Sequence, residues 1–308
     1  MEAKWLAVTA LAPVAWGANY VVTRQLLPVD APLWGSAIRA LPAGLVLLAV
    51  ARGALPRGVW WWRSAVLGTL NVGAFFLLVY VAAQLLPSSV AASVMALAPL
   101  VMAGFAWLWV AERLTGQVLA GAVAGIVGVL LLVGGAGGTI DVAGVAASAA
   151  ALLISSAGAV LTKRWADGTP IVALTAWQLI FGGLALVVVA VAVEGAPPAV
   201  DGPGVAGFAF TTLVATALAN LCWFAGLTRL RAATVGVVGL LNPVTGVLLG
   251  ALVAHETFTG EQLAGIALVL AGILATSLAP SRRIPVEPEP ELLPSPSQDT
   301  AELAGAAA

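Results

Sequence analysis

The chain has 308 residues, of which 9% are charged and 61% hydrophobic, and its mean hydropathy is +1.05. A soluble domain carries about 25% charge, so a water-soluble fold is excluded and the chain reads as an integral membrane protein. Thirteen basic and fourteen acidic residues, for a net charge of -1, give no reason to expect a nucleic-acid partner; the one cysteine, Cys222, excludes an internal disulfide and a multi-cysteine metal site.

Ten apolar runs follow one another, near 5–24, 32–51, 64–84, 88–110, 117–135, 141–162, 170–193, 204–226, 233–254 and 261–279. Each has about the 20 residues a helix needs to cross the hydrocarbon core, and nothing alternates with the period of a barrel strand. The expected fold is all-α. The first run ends at Arg24 and lacks an A-x-A exit, so it reads as a spanning helix rather than a signal peptide. At 100° per residue, Thr9, Trp16, Asn19, Tyr20 and Thr23 share a third of its circumference.

The second run holds Arg39, the one ionisable side chain well inside a span. Burying a lone guanidinium costs at least ~2.5 kcal/mol, and no Asp or Glu lies in any span. Its expected neighbours are therefore carbonyls, water or an anionic substrate group, with the carbonyl freed by Pro42 a candidate clamp. In the third run, Trp60, Trp61 and Trp62 suit the headgroup level, and Asn71, Tyr80 and Gln84 are polar. Pro99 and Pro243 sit mid-span and predict kinks in the fourth and ninth helices. The seventh run contributes Trp177 and Gln178, the eighth Thr212, Thr216, Asn220 and Trp223, the ninth Thr234, Asn242 and Thr245. Residues 281–308, rich in Pro and Glu, cannot bury a core and read as a disordered cytoplasmic tail.

The chain repeats itself. With Pro99 set on Pro243, ten residue pairs are identical, and both copies contain E-x-x-T-G-x-x-L-A-G, at Glu112 to Gly121 and Glu256 to Gly265. The glutamates read as capping or ion-pair residues of the turns. At an offset of 139, Arg39 falls on Gln178. Each half holds five spans, and an odd number forces the halves into opposite orientations, so two inverted five-helix repeats are expected, residues 1–138 and 139–280. With the N-terminus inside, eleven basic residues fall on the cytoplasmic side and Arg24 alone on the other, which places both termini in the cytoplasm.

The ten-span pattern, Trp16-Gly17, the Ala98-Pro99 and Asn242-Pro243 steps and the doubled E-x-x-T-G-x-x-L-A-G turns resemble the EamA family of the drug/metabolite transporter superfamily. The resemblance covers residues 5–279. It implies a permease of the bacterial inner membrane, often an exporter of amino acids or related metabolites, with a central cavity between the halves and alternating access around it. Its partners are then a small-molecule substrate and the lipid bilayer, with no cofactor and no metal. A facilitator or efflux pump for drug-like or other metabolites, or a non-transporting sensor or scaffold, are the alternatives. An enzyme is not expected, since no nucleophile-base pair or metal motif is present.

Intramembrane polar side chains are the default binding candidates. They are Trp16, Asn19, Arg39, Tyr80, Trp177, Gln178, Asn220, Trp223 and Asn242, with Pro99 and Pro243 as kinks. The threonines bond their own helix carbonyls as readily as a substrate. No intramembrane carboxylate is available for cation-for-proton exchange, and His255 reads as a surface residue.

Overall fold

The low polarity of these segments leaves backbone groups no partners but one another, and helices are the result. The computed structural model describes residues 2–95, 97–110, 116–134, 141–165, 168–227, 229, 238–239 and 241–277. Among them are helices and connections and no strand. The first E-x-x-T-G turn from Glu112 to Thr115, Thr234, and residues 281–308 with the expected tail lie outside the described residues.

The helices are α1 (Glu2–Leu26), α2 (Pro32–Val50), α3 (Trp60–Leu85), α4 (Ser88–Met95) and α5 (Ala98–Val110). They continue with α6 (Gly116–Gly134), α7 (Val142–Trp165), α8 (Ile171–Val193), α9 (Gly202–Gly226), α10 (Leu241–Leu252) and α11 (Gly260–Ser277). Among the described residues seven stretches are long and apolar enough to cross a membrane: α1, α2, α3, Ser88–Trp109 across α4 and α5, and the cores of α7, α8 and α9. Shorter apolar helices occupy Leu119–Leu131, Leu241–Leu252 and Gly260–Gly272. Leu45, Leu108, Leu119, Leu130, Val188 and Leu252 are exposed on the outer faces. In water such a surface would aggregate; in lipid it meets its own kind.

Helix starts are capped from a distance. Pro32 begins α2 without needing an N–H, and the Glu194 carboxylate beyond α8 accepts from Leu33 N at 2.8 Å and Trp34 N at 2.9 Å. Glu256 does the same for α4, accepting from Ser88 N at 2.6 Å and Ser89 Oγ at 2.6 Å. Glu256 therefore caps a helix start in the other half of the chain rather than its own turn. Asp201 caps α9 by accepting from Gly204 N.

Where helices cross, glycine brings backbones together. Gly44 of α2 rests on Leu179 and Ile180 of α8, and Gly183 of α8 rests on Leu41 of α2. Gly128 of α6 meets Gly265 and Val269 of α11, while Gly272 of α11 meets Gly121 and Gly125 of α6. In both crossings a glycine and its repeat counterpart exchange roles.

Two stretches depart from α geometry. Thr69–Ala74 in α3 and Phe210–Leu218 in α9 are wound as π-helix, a wider turn that shifts side-chain register and frees carbonyls. The fourth span divides near Leu97, whose carbonyl accepts from Leu100 N and Val101 N, and Pro99 stands in the first turn of α5. Pro243 is likewise in the first turn of α10. A first-turn proline has no intrahelical N–H bond to lose, so Pro99 costs α5 none; ahead of Pro243, residues 238–239 are helical and residue 240 lies outside the described residues.

Candidate functional site

A cavity of about 640 Å³ lies among α1, α2, α3, α7, α8, α9 and α10. Of the expected binding residues, Trp16, Asn19, Arg39, Gln178, Asn220 and Asn242 line it. Tyr20, Asn71, Thr162, Thr169 and Thr175 add polar groups, and Phe75, Phe76, Leu179 and Phe224 add apolar ones. Among the described residues that line it, none is Asp or Glu.

Arg39 is held by two neighbours. Its Nε donates to Thr216 Oγ1 at 2.9 Å, and its guanidinium lies 4.1 Å from the centroid of the Phe76 ring, a cation–π contact. The Thr216 hydroxyl is oriented from below, since it donates to Thr211 O at 2.7 Å across the π-wound turn. The Nη groups have no hydrogen-bond partner among the described residues. The carbonyl freed by Pro42, that of Ile38, is taken by Thr212 Oγ1 at 3.1 Å. The expected Pro42 clamp on Arg39 is thus filled by a threonine instead.

Around Trp16 the wall is rigid. Its Nε1 donates to Ala215 O at 3.0 Å, and its ring lies 5.3 Å from that of Trp223, tilted 57°. Trp223 supports Trp16 from behind and is not itself among the lining residues. Gly17 lets α1 approach Asn242 and Thr245 of α10, where a Cβ would meet the Asn242 carbonyl. Asn220 Nδ2 donates to Thr216 O at 2.7 Å, and the buried amide oxygens of Asn19 and Asn242 lack hydrogen-bond partners among the described residues.

Two further candidates lie away from the cavity. Trp177 packs against Trp60 at 6.1 Å and donates to Ala54 O at 2.6 Å, closing one end of α8. Tyr80 donates to Pro28 O at 2.6 Å at the opposite face. There Gln84 Nε2 donates to Thr23 O at 2.9 Å and Leu27 O at 3.2 Å, Arg24 donates to the Leu86 carbonyl, and Glu256 holds α4. That face is shut. The cavity extends the other way, to Thr169 in the connection between α7 and α8.

Residues 3–134 and 142–278 each match the sequence profile of the EamA-like transporter family. The chain belongs to this family. It is 36% identical over 265 residues to protein PecM of Dickeya dadantii, across 85% of this chain and 89% of the relative. It is 29% identical over 279 residues to a probable amino-acid metabolite efflux pump of Salmonella typhimurium, across 85% of this chain and 91% of the relative. A solved crystal structure superposes with a TM-score of 0.67 at 23% identity, covering 92% of this chain and 99% of its own, and shares the fold. As an EamA-family member the chain is a multi-pass membrane transporter of small metabolites and not an enzyme.

Sequence reasoning ranked Asn71 low and passed over Thr162, Phe75 and Phe76. In this EamA-family chain, signals existed for two of them. Asn71 is an amide within an apolar span beside the Phe75-Phe76 doublet, and Thr162 is the repeat counterpart of Thr23.

Proposed function

We propose that the chain exports amino acids or related small metabolites across the bacterial inner membrane, by alternating access around the 640 Å³ cavity. One observation carries the reading. Arg39 enters a cavity with no carboxylate among its described lining residues, and its hydrogen bonding to the described residues uses only Nε, leaving its Nη groups able to grip a substrate carboxylate as a fork. Trp16, Asn19, Asn220 and Asn242 line the same cavity, where an indole and amides suit an apolar side chain and a polar backbone. Trp223 contributes by fixing Trp16, Gln178 by the amide beside Asn71, and Tyr80 and Trp177 by closing the two ends.

The architecture we propose is ten spanning helices in two inverted repeats, 1–138 and 139–280, with both termini cytoplasmic. The exchanged glycine contacts support it, as do the π segments that fall in the third span of each half. In this orientation the cavity reaches the cytoplasmic face and the Gln84 closure faces outward, as an exporter awaiting its load requires. Alternate tightening of the two faces then moves the substrate across, with Pro99 and Pro243 at the helix starts where bending is cheap.

Proteoliposome counterflow tests the substrate reading. Leucine should exchange well and 3-methylbutylamine, which is leucine without its carboxylate, poorly; equal exchange of both would remove the role given to Arg39. Cysteine labelling tests the topology. On a Cys222→Ser background, Thr257→Cys should react from outside and its repeat counterpart Arg113→Cys only after permeabilisation. Reaction of both from one side would contradict the inverted arrangement.

A further inference from the structure

The cavity has a second polar end, built like the first but without charge. On α7, Thr162 Oγ1 donates to Gly158 O at 2.8 Å, so its oxygen is left to accept from Asn71 Nδ2 at 3.2 Å. Asn71 Nδ2 also donates to Gln178 Oε1 at 2.8 Å. In this arrangement the Gln178 oxygen faces Asn71 and its Nε2 has no hydrogen-bond partner among the described residues; the buried Asn71 Oδ1 has none there either. Gln178 is 8% exposed and lines the cavity. At the first end the pattern is a carbonyl, a threonine hydroxyl and then Arg39 Nε.

The two ends face each other along the cavity. The pairing of Gly44 with Ile180 and of Leu41 with Gly183 sets α2 against α8 in an antiparallel register. Arg39 is then level with Ala185, seven residues from Gln178, or roughly 10 Å at about 1.5 Å per residue. Val72, Phe76 and Leu179 pack together and present apolar surface to the same cavity.

We infer that Gln178 is a specificity-determining substrate contact, its Nε2 donating to an uncharged acceptor at the far end of a substrate whose carboxylate is held by Arg39. The inference rests on the carboxylate reading above. An amide carbonyl or hydroxyl oxygen satisfies the buried NH₂, whereas an alkyl end leaves it unpaired. A second carboxylate would lose its water for a neutral donor alone, so substrates with two carboxylates are disfavoured. The class selected carries a single carboxylate and a neutral hydrogen-bonding oxygen several carbons from it.

Glutamine, leucine and glutamate are near-isosteric probes of the three cases. In competition for counterflow, wild-type protein should favour glutamine over both others. Gln178→Met should lower the glutamine-over-leucine preference about fivefold, the size of one hydrogen bond. Gln178→Arg, which copies Arg39 onto its repeat counterpart, should turn the preference from glutamine to glutamate. An unchanged glutamine-to-leucine ratio in Gln178→Met, or an equal loss for both, would overturn the inference. Should Gln178→Met fail to fold, an unchanged glutamine-to-glutamate ratio in Gln178→Arg would do so. Discrimination between leucine and 3-methylbutylamine reports on Arg39 alone, so either idea can fail without the other.

Discussion

Arg39→Gln is expected to reduce counterflow of leucine about 10- to 100-fold, and to collapse its advantage over 3-methylbutylamine. The size follows from losing a charged, two-pronged hydrogen bond, worth about 1.5–3 kcal/mol in a site that excludes water. Glutamine is the informative replacement, because its amide still reaches a hydroxyl such as Thr216 while offering no positive charge. Arg39→Lys should recover part of the activity, since the charge returns without the planar fork. The rival role for Arg39 is a clamp between α2 and α9, suggested by its bond to Thr216. A clamp would show as a lower yield of monodisperse protein and a lower melting temperature. If Arg39→Gln folds normally and transports leucine at the wild-type rate and affinity, the carboxylate role is wrong.

Gly182→Val should leave little folded protein. A Cβ at Gly182 would collide with the Gly68 carbonyl and come within 2.7 Å of Val72 Cβ and 3.0 Å of Gly73 N. The reverse holds at Gly68, where a Cβ would lie 2.7 Å from Gln178 O and 2.9 Å from Gly182 N. Backbone lines both sides, so nothing can swing aside. Even Gly182→Ala should cost about 1–3 kcal/mol, the usual range for overpacking. Gly104 is the control, with nothing among the described residues within 4 Å of its Cβ position; Gly104→Ala should leave the melting temperature in detergent near wild type. Equal melting temperatures for Gly104→Ala and Gly182→Ala would show that the α3–α8 contact is looser than drawn. The same crossing brings Asn71 to Gln178, so Gly182→Ala should also blur the preference among glutamine, leucine and glutamate.

The all-helical fold was legible because a low-polarity chain has few ways to satisfy its backbone; seven of the described helical stretches are long and apolar enough to cross a membrane. Arg39 stood out for a related reason: a cation without a nearby acid is conspicuous when only 9% of residues are charged. Its partner was not legible. Thr216 lies 177 positions away on a π-wound stretch, and α-helical periodicity misstates which side chains share a face there. The same limit hid the filling of the Pro42 gap by Thr212. Tyr80, Trp177 and Trp223 have the composition of binding residues, and composition does not say whether an aromatic group faces the cavity or props a neighbour. Glu256 was legible as a cap, but its target in the other half required the folded arrangement.

The wide turn at Thr69–Ala74 sets the aim of everything after it. A π turn is in effect one residue too many, and removing a residue there would let the helix close to ordinary pitch. The segment from Phe75 to Leu85 would then rotate by about 100°, the angle of one residue. Phe76 would swing off the guanidinium, and Gln84 would leave the carbonyls of Thr23 and Leu27. A single surplus residue therefore indexes the substrate pocket and the outer seal together, like one spacer on a shaft that sets two cams. Neither could be retuned by insertion or deletion in this turn without the other following.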